Sequence, residues 1–335
     1  MAKKASSSAA VAFSVSSEQA GATLAALLRS RDAGLSWSQA QQLVRSRRVL
    51  VNGNLCLDAG RRLTAGEVIK LLPHSAAPLP TDRDVRIRHA DPQLVVVEKP
   101  SGMTSTRHSE EQDWPSRRKQ VQPTLDELLP RILAKFERRT GPDQARPVKA
   151  VHRLDRETSG LMVFARTFKA EQILQQQFKA HTIERRYRAV VQGHPAAQTI
   201  ESFLVRDRGD GRRGSGPEDQ GGQRAVTHVR PLERLGDYSL IECQLETGRT
   251  HQIRIHLAEQ GHPVCGDKVY AQPFRAKPRP DSSAAPRLAL HAAVLGFTHP
   301  ASGETVRWEM PLPKDLADFV KRLRKQAQPE GEGAP

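Results

Sequence analysis

The sequence predicts an α+β protein in which a small helix–helix–β unit precedes a larger domain. Strand-like and helix-like segments alternate irregularly after residue 91, whereas a regular βαβ array would alternate them evenly. A stretch containing Pro78 and Pro80 separates this region from a short segment with two helical patterns and an Asn-Gly turn. The chain has 335 residues, of which 37% are hydrophobic, so it is long enough for two packed domains.

The small unit is predicted from two helices and a hairpin. Residues 23–29 and 38–45 have helical spacing, and the second helix is expected to open with a capping box of Ser38 and Gln41. Residues 50–55 place Asn-Gly between apolar residues, a pair that can adopt positive φ at both turn positions. Residues 68–72 supply another strand.

The larger domain is predicted from a buried strand at residues 94–97, further strands at 161–165, 187–192 and 239–245, and helices at 168–181 and 250–260. Residues 105–149 and 207–223 are polar and punctuated by Gly and Pro, so we expect long loops there. The predicted divisions are a disordered tail at 1–20, the small domain at 21–75, a linker at 76–90, the large domain at 91–318, and a basic then disordered tail at 319–335.

The charge of the chain indicates a polyanionic partner. Subtracting 37 Asp and Glu from 52 Lys and Arg gives a formal net charge of +15, which attracts RNA, DNA or an anionic membrane surface. No run approaches the roughly 18 apolar residues that a membrane span requires, which disfavours the membrane. Cys56, Cys243 and Cys265 form no CxxC pair, so neither a disulfide framework nor a zinc knuckle is indicated, and a reducing cytoplasm is expected.

Arginines concentrate in the small unit at helix ends and around the predicted turn. Such runs are usually solvated surface, but these positions also suit contacts to phosphates. The candidate RNA-binding residues are Arg45, Arg47, Arg48, Asn52, Arg61 and Arg62.

The first candidate site is the run from His152 to Gly160, which ends at a strongly apolar segment. It puts a carboxylate, Asp155, on a loop fixed by a rigid strand. Dense polar residues directly before an apolar strand are typical of a functional site. Asp155 also lies between Arg153 and Arg156, so an ordinary surface ion pair explains it equally well at this point.

The second candidate site is the run from Glu246 to His256, in which Gly248 leads into a predicted helix. Thr250 and Arg254 share one face of that helix, so it could bury one side and present Arg254 from the other. Histidines here and Cys265 raise the alternative of a metal site. They match neither HExxH nor a tetrahedral Cys/His spacing, so no metal is expected.

These segments resemble the RluA-type family of pseudouridine synthases, which modify ribosomal and transfer RNA. The resemblance covers roughly residues 85–313. It rests on the motifs VVVEKPSGM, HRLDRETSGLMVFAR, RRYRAVVQG, QRAVT, ETGRTHQIRIHLAEQGHPVCGD and LALHAAVLGFTHP. The segment SQAQQLVRSRRVLVNGNLCLDAGRRLTAGEVIKL resembles the RNA-binding module named after ribosomal protein S-four, although Ala22-Thr23-Leu24 replaces the usual Arg-Leu-Asp at the first helix.

The resemblance implies a large, mixed, mainly antiparallel β-sheet with flanking helices, and it implies roles for individual residues. Asp155 would be the catalytic aspartate, Tyr187 would pack on the target base, and Arg254 would pair with the aspartate. Arg153 would help to hold open the RNA from which the uridine has been turned out. His152, Arg249, Thr250 and His251 are the further candidates for substrate binding.

The implied reaction breaks the bond from uracil nitrogen to ribose, turns the base and rejoins it through carbon five. No electrons or atoms are exchanged with a partner, so no cofactor is expected, and neither a P-loop nor a strand-placed GxGxxG occurs. The reaction needs an ionised carboxylate beside the sugar, acting as nucleophile, base or electrostatic stabiliser.

Several functions remain open from the sequence. Large-subunit ribosomal RNA is the expected substrate, with transfer RNA as the alternative, and we expect a monomer. A non-catalytic RNA-binding or ribosome-assembly protein is a second class, which gives no reason for Asp155, Tyr187 and Arg254 together. A DNA-binding regulator also explains the charge but leaves Asp155 without a role.

Overall fold

The computed structural model describes residues 11–51, 54–76, 78–107, 112, 114, 116, 119, 122–138, 147–209, 211–271 and 280–327. The chain divides into two units. The first consists of Met1–Leu79 and His108–Pro123, and the second consists of Pro80–Arg107 and Thr124–Pro335. The division between residues 79 and 80 falls inside the segment predicted as a linker.

The first unit packs two helices against a small sheet. The helices are α1 Leu24–Arg31 and α2 Trp37–Arg45, and the strands are β1 Val11–Ser14, β2 Val49–Val51, β3 Asn54–Leu55 and β4 Val68–Leu71. The strands pair antiparallel in the order β1-β4-β2-β3. Leu24, Leu28, Val44 and Ile69 are fully buried in the core between the helices and the sheet, which stabilises a unit with few apolar residues.

Two expectations for this unit are wrong. The predicted tail through residue 20 is ordered from residue 11, because β1 pairs with β4 and Val15 enters the core. Backbone pairing with β4 stabilises β1, whose own apolar content would not be sufficient. The capping box of α2 is formed by Ser36 and Gln39, so the helix begins before Ser38.

One large sheet dominates the second unit. Its strands are β5 Arg86–Ala90, β6 Leu94–Lys99, β7 Lys149–Ala150, β8 Ser159–Ala165, β9 Glu184–Gln192, β10 Gln198–Val205, β11 Gly214–Ser215, β12 Gln223–Leu235, β13 Tyr238–Leu245, β14 Leu290–Thr298 and β15 Thr305–Glu309. In the described residues the main order is β11-β10-β12-β13-β9-β14-β8-β6-β5, with β15 on β14 and β7 on β8. Strands β14 and β8 pair in parallel, and the other pairs are antiparallel. The predicted α+β class with a mixed, mainly antiparallel sheet is confirmed.

Helices cover both faces of the sheet around β6 and β8. They are α3 Leu125–Phe136, α4 Phe168–Lys179, α5 Gln252–Glu259 and α6 Lys314–Ala327. Val95 and Phe164 belong to the same cluster as residues of α3, α5 and α6, whereas Val96 and Val163 pack with α4. This two-sided burial explains why residues 94–97 of β6 and 161–165 of β8 form continuous apolar runs rather than alternating with polar residues.

The predicted loop at residues 105–149 contains α3. Thr124 and Glu127 form its capping box, and Leu125, Leu129 and Leu133 are buried at helical spacing. Pro130 lies inside the helix. Because proline lacks the backbone N–H that a helix interior needs, the sequence pattern suggests that a helix cannot continue through this position. The predicted loop at 207–223 likewise contains the short strand β11.

The predicted linker and C-terminal tail are also too long. β5 pairs with β6 in the large sheet, so residues 86–90 belong to the second unit. Helix α6 continues through the boundary predicted at 319, with Leu316, Phe319, Val320 and Leu323 buried along one face. That spacing of three and four residues orders a segment that its charges suggested would be a tail. Residues 328–335 lie outside the described part of the chain.

A test of the sheet is the substitution Gly160→Ala at the start of β8. Gly160 has φ +125, and a Cβ there would overlap the carbonyl of Ala292 on β14. Gly303 also has positive φ, but a Cβ there would meet nothing within 4 Å. We expect Gly303→Ala to cost about 1–2 kcal/mol from backbone strain, and Gly160→Ala to cost at least about 2 kcal/mol more in urea unfolding. Equal losses would contradict the close packing of β8 on β14.

Candidate active site

Asp155 lies on the loop that leads into β8. Its side chain is 18% exposed, and its carbonyl oxygen accepts the backbone N–H of Thr158 at 3.1 Å. The strand that follows is buried at every position. The carboxylate is therefore partly accessible next to a rigid strand.

Lys99 ties this loop to the end of β6. Its side chain is fully buried, and Nζ donates to the carbonyl oxygens of Pro100 at 3.0 Å, Met103 at 2.8 Å and Arg156 at 3.0 Å. Burial lowers the pKa of Lys99 to about 7, although the carboxylates of the loop act in the opposite direction. The three hydrogen bonds use every donor of the ammonium group and hold the two segments together.

Two serines strengthen the same junction. The hydroxyl of Ser105 donates to the carbonyl of Leu154 at 2.8 Å and accepts the N–H of Leu154 at 3.1 Å. Ser101 donates to the carbonyl of Glu157 at 2.7 Å. The backbone on both sides of Asp155 is thus fixed, so little ordering is needed when a substrate binds.

Arg254 joins two carboxylates. Its Nε donates to Oδ2 of Asp267 at 2.7 Å and its Nη2 to Oδ1 of Asp267 at 2.9 Å, whereas Nη1 lies 3.4 Å from Oδ2 of Asp155. Burial lowers the pKa of Arg254, but the hydrogen bonds and charge of Asp267 outweigh it, so the net shift is upward. The main ion pair of Arg254 is therefore with Asp267, and the third nitrogen of the guanidinium makes a longer contact with Asp155.

Asp267 is almost completely buried, with its side chain 1% exposed. Besides Arg254, its Oδ1 accepts the backbone N–H groups of Val269 and Tyr270 at 2.8 and 3.0 Å. Burial raises the pKa of Asp267, but the hydrogen bonds and charge of Arg254 outweigh it and lower the pKa overall. The carboxylate is held ionised by the partners that it positions.

Helix α5 carries Arg254 and differs from its predicted form. It begins at Gln252, and Gln252 through Ala258 are all buried, so the expected exposed face is absent from these residues. Gln252 anchors the first turn: its amide donates to the carbonyl of Val226 at 2.9 Å and the hydroxyl of Thr227 at 3.0 Å, and its oxygen accepts from Thr247 at 2.8 Å. Arg254 reaches Asp155 from inside the protein rather than from a solvated helix face.

His251 precedes this helix and also approaches Asp155. Its Nε2 lies 3.9 Å from Oδ1 of Asp155, and its Nδ1 lies 2.9 Å from the hydroxyl of Tyr270. The backbone of His251 is left-handed, with φ 61. Burial lowers the pKa of His251, with Asp155 acting in the opposite direction.

Tyr187 lies on β9 and is 8% exposed. Burial raises the pKa of its hydroxyl to about 12, with Arg185 lowering it and Asp155 raising it further. Arg185 and Asp155 are thus the two charged groups that influence this hydroxyl. The phenol remains protonated at physiological pH.

The other predicted substrate contacts have different surroundings. The Nε2 of His152 accepts the backbone N–H of Val163 at 3.1 Å and its ring stacks on Phe178 at 4.6 Å, which supports a packing role. Burial lowers the pKa of His152 to about 3, so the ring is neutral. Arg249 is half-buried and donates to the carbonyl of Arg224 at 3.1 Å. Thr250 is half-buried and Arg153 is exposed.

The predicted RNA-binding arginines of the first unit differ in their partners. Arg45 is exposed on α2 and donates to the side chain of Gln41 at 2.6 Å. Arg61 forms an ion pair with Glu67. Each of the remaining three donates one nitrogen to a backbone carbonyl: Arg47 to Ala76, Arg48 to Leu72 and Arg62 to Gly21. Asn52 lies outside the described residues.

Four residues of the site were missed as individuals: Lys99, Ser105, Asp267 and Tyr270. Two of them stand in motifs that were recognised, Lys99 in VVVEKPSGM and Asp267 at the end of the longest one. The position of Lys99 and Asp267 within these motifs was the sequence feature that could have identified them. Their role depends on contacts between segments distant along the chain, which residue spacing does not reveal.

Two kinds of feature are absent from the described residues. No helix among them is long and apolar enough to cross a membrane. Within the same ranges, no group of three or more His, Cys, Asp or Glu side chains is arranged to hold a metal ion. Cys56, Cys243 and Cys265 are buried thiols.

Comparison with known proteins gives consistent similarities. Residues 93–259 match the family described as RNA pseudouridylate synthase, and residues 24–69 match the S4 domain. The uncharacterized RNA pseudouridine synthase YlyB of Bacillus subtilis is 34% identical over 322 residues, which cover 93% of this chain and 98% of that protein. Ribosomal large subunit pseudouridine synthase D of Zymomonas mobilis is 40% identical over 254 residues, which cover 75% and 77% of the two chains.

A solved structure is also similar. Human RNA pseudouridylate synthase domain containing 4 is 27% identical, with a TM-score of 0.57, and the match covers 71% of this chain and 92% of that one.

The substitution Asp267→Asn tests the buried ion pair. Removing one partner of such a pair typically costs about 3–5 kcal/mol, because the other charge stays buried. Since folding lowers the pKa of Asp267 below 3.8, its stabilising effect is complete above that value and is lost as the pH falls further. We therefore expect the difference in unfolding free energy to be constant from about pH 8 to 5 and to shrink only below about pH 4.

Asp315→Asn is the matched control, because Asp315 also pairs with an arginine, Arg287, but is 45% exposed. It should cost no more than about 1 kcal/mol in the same urea titration. Equal effects of the two substitutions would show that Asp267 is not a buried structural charge.

Proposed function

Because this chain belongs to the RNA pseudouridylate synthase family, we propose that it isomerises specific uridines of large-subunit ribosomal RNA with Asp155 as its catalytic carboxylate. The observation that carries this proposal is the surroundings of Asp155. The carboxylate is accessible on a fixed loop, with the guanidinium of Arg254 and the imidazole of His251 beside it.

This arrangement suits the chemistry of uridine isomerisation. Cleavage of the bond between uracil and ribose develops positive charge on the sugar, and an ionised carboxylate stabilises that charge or attacks the sugar. Arg254 offers only one nitrogen to Asp155, at 3.4 Å, because its two other nitrogens are committed to Asp267. The carboxylate thus keeps charge to offer to the sugar.

The aromatic ring of Tyr187 is proposed to stack on the target base. A uridine turned out of its helix loses a few kcal/mol of stacking, and an aromatic face recovers part of it. The position of Tyr187 in a strand, within the electrostatic influence of Asp155, supports this role. Arg153, exposed two residues before Asp155, is proposed to hold the RNA open, and Arg249 and Thr250 to contact the substrate at the start of α5.

The choice of ribosomal RNA rests on the relatives. The protein from Zymomonas mobilis is named for the ribosomal large subunit. The S4 domain in the first unit supplies a second basic surface, as expected for a large folded RNA substrate. We also propose that the enzyme acts as a monomer, without cofactor, in the cytoplasm. Its buried thiols suit a reducing compartment, and light scattering of the purified protein would test the monomer.

Asp155→Asn tests the proposed reaction. RNA labelled with tritium at uridine carbon five loses the label when the base is rejoined through that carbon. We expect the wild type to release tritium from large-subunit ribosomal RNA, and Asp155→Asn to release at least about 1000-fold less while binding RNA normally, because only the reacting carboxylate is lost.

Glu157→Gln is the matched control for Asp155→Asn. It removes an exposed negative charge from the same loop, where Glu157 lies 3.9 Å from Arg156, and it should retain activity. Absence of tritium release from the wild type with any ribosomal or transfer RNA would overturn the proposed enzyme and favour a binding protein.

The contacts of the first unit rank its arginines as RNA ligands. Arg45 is exposed, whereas the charge of Arg61 is balanced by Glu67. We expect Arg45→Gln to weaken RNA binding and to reduce the slope of log affinity against log salt by about 1. Arg61→Gln should change that slope less. A larger change for Arg61→Gln than for Arg45→Gln would contradict this ranking.

A further inference from the structure

The proposed reaction ends with the transfer of a proton from the rejoined base to a neighbouring group. When uracil is rejoined through carbon five, that carbon still carries its hydrogen, which must leave before the ring regains its conjugation. Asp155 acts at the ribose in the earlier steps and is released once carbon five has joined the sugar. An imidazole is a stronger base than a carboxylate, so a histidine beside the base would take this proton more readily than Asp155.

Most described side chains that interact with Asp155 are unsuited to this task. Burial raises the pKa values of Tyr187 and Tyr270 to about 12, so both phenols are protonated and accept a proton poorly. Arg254 is permanently charged. The Nζ of Lys99 is fully buried and bound to three backbone carbonyls, so a substrate cannot reach it.

We propose that His251 is the base that takes the proton from carbon five of the uracil. This inference rests on the proposed function. The Nε2 atom lies 3.9 Å from Oδ1 of Asp155, which puts it within reach of a base whose ribose contacts that carboxylate. The side chain is 30% exposed, so a substrate can reach it.

Tyr270 orients the imidazole for this role. Its hydroxyl lies 2.9 Å from Nδ1 of His251, and the two rings meet edge to face with centroids 5.5 Å apart. The tautomer that donates from Nδ1 to this hydroxyl leaves the lone pair on Nε2, which faces Asp155. Tyr270 is itself held by Asp267 through its backbone N–H. The lowered pKa of His251 favours the neutral, proton-accepting ring at physiological pH.

The backbone of His251 supports a functional position. The residue precedes α5 in a left-handed conformation and makes no capping hydrogen bond through its side chain. A helix usually begins after Ser, Thr, Asp or Asn, whose side chain satisfies the first amides. A histidine in a disfavoured conformation that does not cap the helix indicates that the ring is placed for another purpose.

The step balances without a further reactant. Nε2 accepts the proton, and the electron pair of the broken carbon–hydrogen bond forms the double bond between carbons five and six. The pair of the double bond between carbon six and nitrogen one moves to that nitrogen, which takes a proton from water. The imidazolium returns its proton to solvent, which accounts for release of the label at carbon five.

His251→Asn tests the assignment. Asparagine tolerates the left-handed backbone and places an amide near the position of Nδ1, but it lacks Nε2. Pseudouridine formation would be compared on RNA with hydrogen or deuterium at uridine carbon five. We expect the variant to be about 10²–10⁴-fold slower and slower again on the deuterated RNA, because proton removal has become the slow step.

A second variant distinguishes loss of the imidazole from a general loss of structure. His251→Gly suits the same backbone, and added imidazole should restore part of its activity by replacing the missing ring. His181→Asn is the matched control, since His181 is also left-handed, with φ 58, but is exposed at the end of α4. Its activity should be unchanged.

Two results would overturn the assignment. One is a His251→Asn variant as fast as the wild type. The other is a slow variant that shows no isotope effect, together with a His251→Gly variant that imidazole does not rescue. Either result beside an inactive Asp155→Asn variant leaves the proposed function intact, whereas a wild type that forms no pseudouridine refutes the function itself.

Discussion

The site depends on the contacts that the guanidinium of Arg254 makes with two carboxylates. The guanidinium is buried in a helix that has no exposed face between Gln252 and Ala258, and two of its nitrogens bind Asp267. A buried charge is tolerated only when its hydrogen bonds are satisfied, and here they are. The third nitrogen lies 3.4 Å from Asp155, so the fixed guanidinium also positions the accessible carboxylate.

The second constraint is the junction between the end of β6 and the loop of Asp155. Lys99 and Ser105 bind backbone carbonyls on that loop, so the main chain on both sides of Asp155 is fixed. Asp155 is therefore held from two directions, by Arg254 at its carboxylate and by the β6 segment at its backbone. Such preorganisation lowers the reorganisation that a reaction needs when charge develops on the substrate.

Much of the fold and part of the site could be predicted from the sequence. The apolar strands β6 and β8 and the loop of Asp155 were clear because two-sided burial and dense polar residues leave strong local patterns. Helix α3 was missed because Pro130 resembles a break, and β1 because its order comes from pairing with β4. The pairing of Arg254 with Asp267 could not be predicted from spacing, and the family resemblance implied Asp155 as the partner of this arginine.

The most direct measurement of the central claim is the turnover number of Arg254→Lys at saturating RNA. Lysine keeps the charge but loses the planar fork that binds Asp267 with two nitrogens while a third reaches Asp155. Turnover should fall by about 100-fold, with RNA affinity changed only a few-fold, because misplacing the carboxylate affects the reaction more than binding. Turnover equal to the wild type would contradict the dependence of the site on this arginine.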